Sequence, residues 1–186
     1  MPMKPTRVHI LVWFLAALTF YTEANEKKYP DNIFGSAENY DIVKSAQEVT
    51  AFRVTPPHLA HDPDSVDFEK LSGSDDLKHY KVGEPLKVDA ATLTELRKLI
   101  LDPKIDDPDS AKGCLPVWGV RLDFVTPKKT VSIYLCYQCY ILAAAEGQKF
   151  VGGGDFDPAY DQLAAIAKRL FPNDKDIQNM RATLGR

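Results

Sequence analysis

The stretch VWGVRLDFVTPKKTVSIYLCYQCYILAAAE, residues 117–146, decides the fold, because apolar and polar side chains alternate on both sides of Pro127-Lys128-Lys129. Successive side chains of a strand point to opposite faces, so parity determines which residues share a surface. Upstream, Trp118, Val120, Leu122 and Phe124 form the apolar set, and Val117, Gly119, Arg121 and Asp123 face away. Downstream the apolar set is odd, running Val131, Ile133, Leu135, Tyr137, Cys139, Ile141 and Ala143, while Ser132, Tyr134, Cys136, Gln138 and Tyr140 turn the other way. A hairpin unites both apolar sets only if even residues sit across from odd ones. A two-residue loop at Lys128-Lys129 meets that condition. It pairs Phe124 with Ile133, Leu122 with Leu135, Val120 with Tyr137 and Trp118 with Cys139, and it sets Arg121 opposite Cys136.

Working outward, DPAYDQLAAIAKRLF, residues 157–171, carries Tyr160, Leu163, Ala164, Ala167 and Leu170 at helical spacing, with Asp157 and Pro158 as a start signal. NDKDIQNMRATL beyond it adds a last helical turn or two. Residues 89–101 form a second amphipathic helix, capped by Asp89 or, three residues later, by a Thr92–Glu95 capping box. AENYDIVKSAQ, 37–47, predicts a short helix, EVTAFRVTP, 48–56, a strand, and HYKVGEPLKV, 79–88, a strand of uncertain length. The proline-rich, acidic residues 56–76 and 102–113 read as surface loops. The expected architecture is α+β: a mostly antiparallel sheet around the hairpin 117–126 and 130–146, covered by helices 89–101 and 157–171.

At the N-terminus, Lys4 and Arg7 precede an uncharged run from Ile10 to Tyr21 and then Thr22-Glu23-Ala24, the three parts of a secretory signal peptide. The run falls short of the roughly 20 residues that span a bilayer, so no stable membrane span is expected after cleavage behind Ala24. Residues 25–36 then read as a flexible lead-in and 37–186 as one α+β domain. Removing Lys4, Arg7 and Glu23 takes the net charge from −3 to −4. A mildly acidic chain without a basic stripe is not built for nucleic acid. The expected location is secreted or periplasmic.

Export bears on the cysteines, since disulfides persist in oxidising compartments. The chain holds Cys114, Cys136 and Cys139, an odd count. On a regular strand Cys136 and Cys139 project to opposite faces with Cα atoms about 10 Å apart, beyond the roughly 7 Å reach of a disulfide. A redox CxxC pair sits where a loop enters a helix, whereas here strand residues flank both sides. Zinc is an alternative, with Cys114, Cys136 and Cys139 joined by His58, His61 or His79. The preferred role is a disulfide from Cys114 to one strand cysteine, closing a loop worth roughly 3 kcal/mol. Cys136, facing the permanent charge of Arg121, is then the candidate reactive thiol, and Cys139 the buried one.

CLPVWGVRLDF, then VSIYLCYQC, then GDFDP and LAAIAKRLFP, resemble a family of uncharacterised bacterial exported proteins. These share a Cys, an Arg-bearing strand, Leu-Cys-aromatic-x-Cys and a closing helix. The likeness covers about residues 40–178, with Tyr137 where the pattern has Phe. It implies a bacterial exported origin and no activity. Gly152-Gly153-Gly154 reads as a flexible turn, since Asp155 and Asp157 would repel a phosphate there. Asp102, Asp106, Asp107 and Asp109 lack the spacing of a calcium loop, and GxSxG and HExxH do not occur. The functional expectation is a non-enzymatic binding or structural domain for an unknown protein or small-molecule partner, without a cofactor. The alternative is a thiol-dependent redox or metal-binding protein centred on Cys114, Cys136 and Cys139.

Overall fold

The computed structural model describes residues 30–56, 74–106 and 112–180. Residues 1–24, expected to be a signal peptide, the start of the lead-in, His58 and His61, and the acids Asp107 and Asp109 all lie outside the described residues. In chain order the elements are α1 (Asp31–Phe34), α2 (Ala37–Ser45), β1 (Glu48–Thr55), a 3-10 turn at Ser74–His79, β2 (Lys81–Val82) and β3 (Leu86–Lys87). There follow α3 (Ala90–Ile100), β4 (Val120–Val125), β5 (Thr130–Cys136), β6 (Ile141–Glu146), β7 (Lys149–Asp155), a 3-10 turn at Asp157–Ala159, α4 (Tyr160–Leu170) and α5 (Lys175–Gln178). The seven strands form one antiparallel sheet in the order β2-β1-β4-β5-β6-β7, with β3 also on the outer side of β1. This is the expected α+β class.

The β4–β5 hairpin keeps the expected parity and shifts its register by two residues. Phe124 faces Val131, Leu122 faces Ile133 and Val120 faces Leu135. The loop is Pro127-Lys128, not Lys128-Lys129, because Thr126 donates its N–H to the Lys129 carbonyl (3.0 Å) and closes the ladder there. Proline explains the choice, since it lacks the N–H a ladder needs and its fixed φ suits the first position of a turn. Arg121 therefore pairs with Tyr134, and its expected position across from Cys136 is not realised.

A larger departure lies at the far end of β5. The run 130–146 is not one strand: it folds back on itself, with Cys136 paired to Ile141 and Tyr137–Tyr140 as the connection. Tyr140 takes a positive φ of 57° to make this reversal. Tyr, Cys and Ile on both sides are strong strand formers, and no glycine or asparagine marks the turn.

Among the described residues, all five α-helices pack on one face of the sheet. Their buried residues, among them Phe34, Val43, Leu96, Ile100, Leu163 and Ala167, meet Val49, Ala51, Leu122, Phe124, Ile133, Leu135 and Leu142 from the strands. α3 starts at Asp89, whose carboxylate accepts the Ala91 and Thr92 N–H groups at 2.9 Å each. Glu95 is turned instead toward Arg169 of α4, so the capping box is not used.

The lead-in is not uniformly slack, because Ile33 and Phe34 of α1 are fully buried. The glycine run explains why. Gly152, Gly153 and Gly154 belong to β7 and do not form a turn. A Cβ on Gly152 would lie 2.5 Å from the Ile33 carbonyl oxygen and 2.7 Å from the Gly35 nitrogen. Absence of side chains lets α1 lie directly on this edge strand.

Candidate functional site

Opposite the helices, the sheet carries a second buried cluster: Val54, Tyr134, Cys136, Ala143 and Ala145 from the strands, with Leu77, Tyr80, Trp118 and Cys139. Val120 is the first residue of β4, so the alternation that would put Trp118 on the helix face does not extend upstream of it. Trp118 instead packs against Phe150 and Tyr134, with ring centroids at 5.2 and 5.9 Å. Phe150 and Tyr134 complete the triangle at 5.7 Å. The Trp118 N–H donates to the Tyr80 hydroxyl at 3.3 Å.

Residues 112–118 cross this face as a strap tied at both ends. At one end Lys112 pairs with Asp157 and, at 3.6 Å, with Asp155, and it lies 5.2 Å from the Tyr140 ring centroid. At the other end the Val117 N–H donates to the Cys136 sulfur at 3.2 Å. Between these anchors Cys114 is bonded to Cys139, with Cα atoms 6.2 Å apart. Cys139 reaches Cys114 because the Tyr137–Tyr140 reversal lifts it off the strand alternation. The two strand cysteines therefore belong to one cluster, not to opposite faces.

Cys136 is the free thiol, and it is fully buried. Burial pushes its pKa up, against the N–H groups of Cys139, Val117 and Gln138 and the charge of Lys112, all of which favour the thiolate. Arg121 has no part in this. Its guanidinium lies 4.2 Å from the Phe52 ring centroid, and its Nε is 3.1 Å from Asp123 Oδ1, an ion pair more than an aligned hydrogen bond. The proposed thiol-tuning role of Arg121 thus falls with the register that suggested it.

The described members of the zinc set, Cys114, Cys136, Cys139 and His79, do not form a ligand group. Cys114 and Cys139 are consumed by their mutual bond, and His79 sits exposed at the end of the 3-10 turn. Among the described residues no three His, Cys, Asp or Glu side chains gather as metal ligands would. Asp106 is engaged with protein, accepting from Asn32 Nδ2 and from the Asp155 N–H, each at 2.9 Å.

Sequence reasoning missed two contributors. The sequence places Lys112 in a loop and Tyr80 in a strand of uncertain length. The one available signal was the Lys112-Gly113-Cys114 context, a long cation beside a cysteine that must cross the sheet to find its partner. Comparison of the chain with models of protein families, with curated proteins and with solved structures returns no match. Among the described residues no helix is long and apolar enough to cross a membrane.

Proposed function

We propose that this chain is an exported, non-enzymatic domain that binds a partner or contributes structure outside the cytoplasm. The observation that carries the reading is the Cys114–Cys139 bond, because such bonds persist in oxidising compartments and are rare in the cytosol. The bond fastens the strap 112–118 over an aromatic cluster that would otherwise be open to water. Its role is that of a staple, and the remaining thiol, buried and raised in pKa, suits a packed residue better than a nucleophile for external substrates. The leader-like residues 1–24 and the resemblance to bacterial exported proteins support the same compartment. The mild acidity of the chain disfavours nucleic acid as the partner.

The test is expression of the full chain in a bacterial host with a secretory pathway, followed by intact mass, thiol counting and elemental analysis of the exported protein. The expected product begins near Asn25, contains one disulfide, yields one thiol per chain when denatured and carries no metal. A retained Met1, three free thiols or stoichiometric zinc would each overturn the proposal, zinc in favour of the metal-binding alternative.

A further inference from the structure

Cys136 is shielded from solvent, yet it lies against the bridge. Its sulfur accepts the Val117 N–H at 3.2 Å, while the Cys139 sulfur is 3.5 Å from the Leu115 carbonyl oxygen. Both sulfurs are thus covered by the same few residues of the strap. The reversal also places Cys139 in the same buried cluster as Cys136, with its N–H near enough to favour a Cys136 thiolate. Residues i and i+3 of a tight turn have Cα atoms within about 7 Å, a span that overlaps the one a disulfide bridges. The N–H groups of Cys139, Val117 and Gln138, with the Lys112 charge, give a Cys136 thiolate donors to rest against.

We propose that Cys136 is a built-in exchange thiol for the Cys114–Cys139 bridge, able to move the free thiol from the protein interior to the surface. After its proton passes to water, the Cys136 thiolate attacks the Cys139 sulfur. The Cys136–Cys139 bond forms as the Cys114–Cys139 bond breaks, and the electron pair leaves on Cys114, which takes up a proton from water. One disulfide and one thiol stand on each side of this step, so no oxidant or reductant is required. The exchange replaces a buried thiol by one on an exposed residue, next to Leu115, which is 42% exposed. As a thiolate, Cys114 can attack a disulfide offered from outside, forming a mixed disulfide and releasing one thiol of that compound. The ligand class is therefore a disulfide with an apolar flank. The inference rests on the bridge alone, and its failure would leave the proposal of export standing.

The test uses the disulfide-containing protein under native conditions at mildly alkaline pH, with an aromatic disulfide reagent as the probe. Trypsin digestion without reduction then reads the outcome, because Cys114 falls in residues 113–121 while Cys136 and Cys139 share residues 130–149. The expected result is probe on 113–121, with 130–149 released as a separate peptide lighter by two hydrogens. Its rate should be independent of probe concentration at high probe, because the internal step precedes capture. Probe on 130–149 with 113–121 still linked to it, or no reaction short of denaturation, would overturn the proposal. Cys136→Ser should abolish native labelling at Cys114, and persistence of that labelling would equally overturn it. The wild-type peptide map decides the matter even if the variant folds poorly.

Discussion

The two faces of the sheet are buried by different means. On the helix side, Leu122, Phe124, Ile133, Leu135 and Leu142 meet α1 to α5 in a core of aliphatic and aromatic side chains, and the eleven-residue helices α3 and α4 are aligned by their own apolar spacing. On the other side, rings and small residues, among them Trp118, Tyr134, Phe150, Ala143 and Ala145, lie under irregular chain. That cover is held by point attachments: one disulfide, the Lys112 ion pairs and the Tyr80 hydroxyl. A helix brings a continuous apolar face and satisfies its own backbone groups, so packing suffices to seat it. An irregular strap satisfies few of its own backbone groups and needs specific anchors. The cysteines occur on the face where anchors are needed.

The comparison predicts its largest effect on the helix side. Phe124→Ala removes a fully buried ring from the centre of the sheet and should cost about 3–5 kcal/mol in urea denaturation, with loss of both helix and sheet signals together. A cost below about 1 kcal/mol would mean that the helix face is not the principal core.

Breaking the bridge comes next. Cys114→Ser or reduction should cost about 2–4 kcal/mol while leaving the far-UV circular dichroism of the native state nearly unchanged, because the bridge lies on the face of the sheet opposite α1 to α5. In protein lacking residues 1–24, Trp118 is the one tryptophan, the other being Trp13. Its emission should therefore shift to the red on reduction, reporting the second face alone. Emission that stays fixed while helicity falls would reverse the assignment of the staple to that face.

Gly152→Ala probes the junction between α1 and the sheet. The new Cβ would meet backbone atoms of Asn32, Ile33 and Gly35 at 2.5–2.7 Å, and these cannot swing aside as a side-chain tip would. Overpacking of this kind costs about 1–3 kcal/mol. Hydrogen exchange should quicken in residues 31–35 more than in β5, and equal quickening everywhere would argue against local undocking.

Much of this architecture is legible from the sequence, for identifiable reasons. Parity survives a two-residue shift of register, so Leu122, Phe124, Val131 and Ile133 were assigned to the core face even though their partners were off. The contact proposed between Arg121 and Cys136 depended on the register itself and did not survive. The Tyr137–Tyr140 reversal was hidden because strand-forming residues occupy it and a non-glycine residue takes the positive φ. The glycine run misled in the opposite direction. Glycine marks turns and close approaches alike, and only the fold shows that α1, four residues long, lies against it. The disulfide was legible as a pairing of Cys114 with one strand cysteine, while the position of Cys136 under the strap required the reversal to be known.

The smallest effect separates two arginines that point to opposite faces of the sheet. Arg121 sits on the strap side over Phe52. Arg53 of β1, on the helix side, donates to Asp174 at 2.8 Å and to the Gly119 carbonyl at 2.9 Å. Asp174 also caps α5, accepting the Ile177 N–H at 2.9 Å. Partial burial alone would raise the Asp174 pKa, but the Ile177 N–H and the Arg53 guanidinium outweigh it and hold the carboxyl below its ordinary 3.8. A folded-state pKa below the unfolded one means that the unfolded chain binds the proton more readily. The contribution is therefore present above the unfolded value and fades as pH falls through the folded one. Asp174→Asn keeps a side chain able to cap and removes only the charge. It should cost up to about 1 kcal/mol at neutral pH, since the pair is partly open to solvent, and the difference from wild type should shrink as the pH is lowered below 3.8. Urea denaturation of both proteins across that range checks it. A difference that stays constant with pH would assign the effect to the cap, leaving the tie between α5 and the sheet without an electrostatic part.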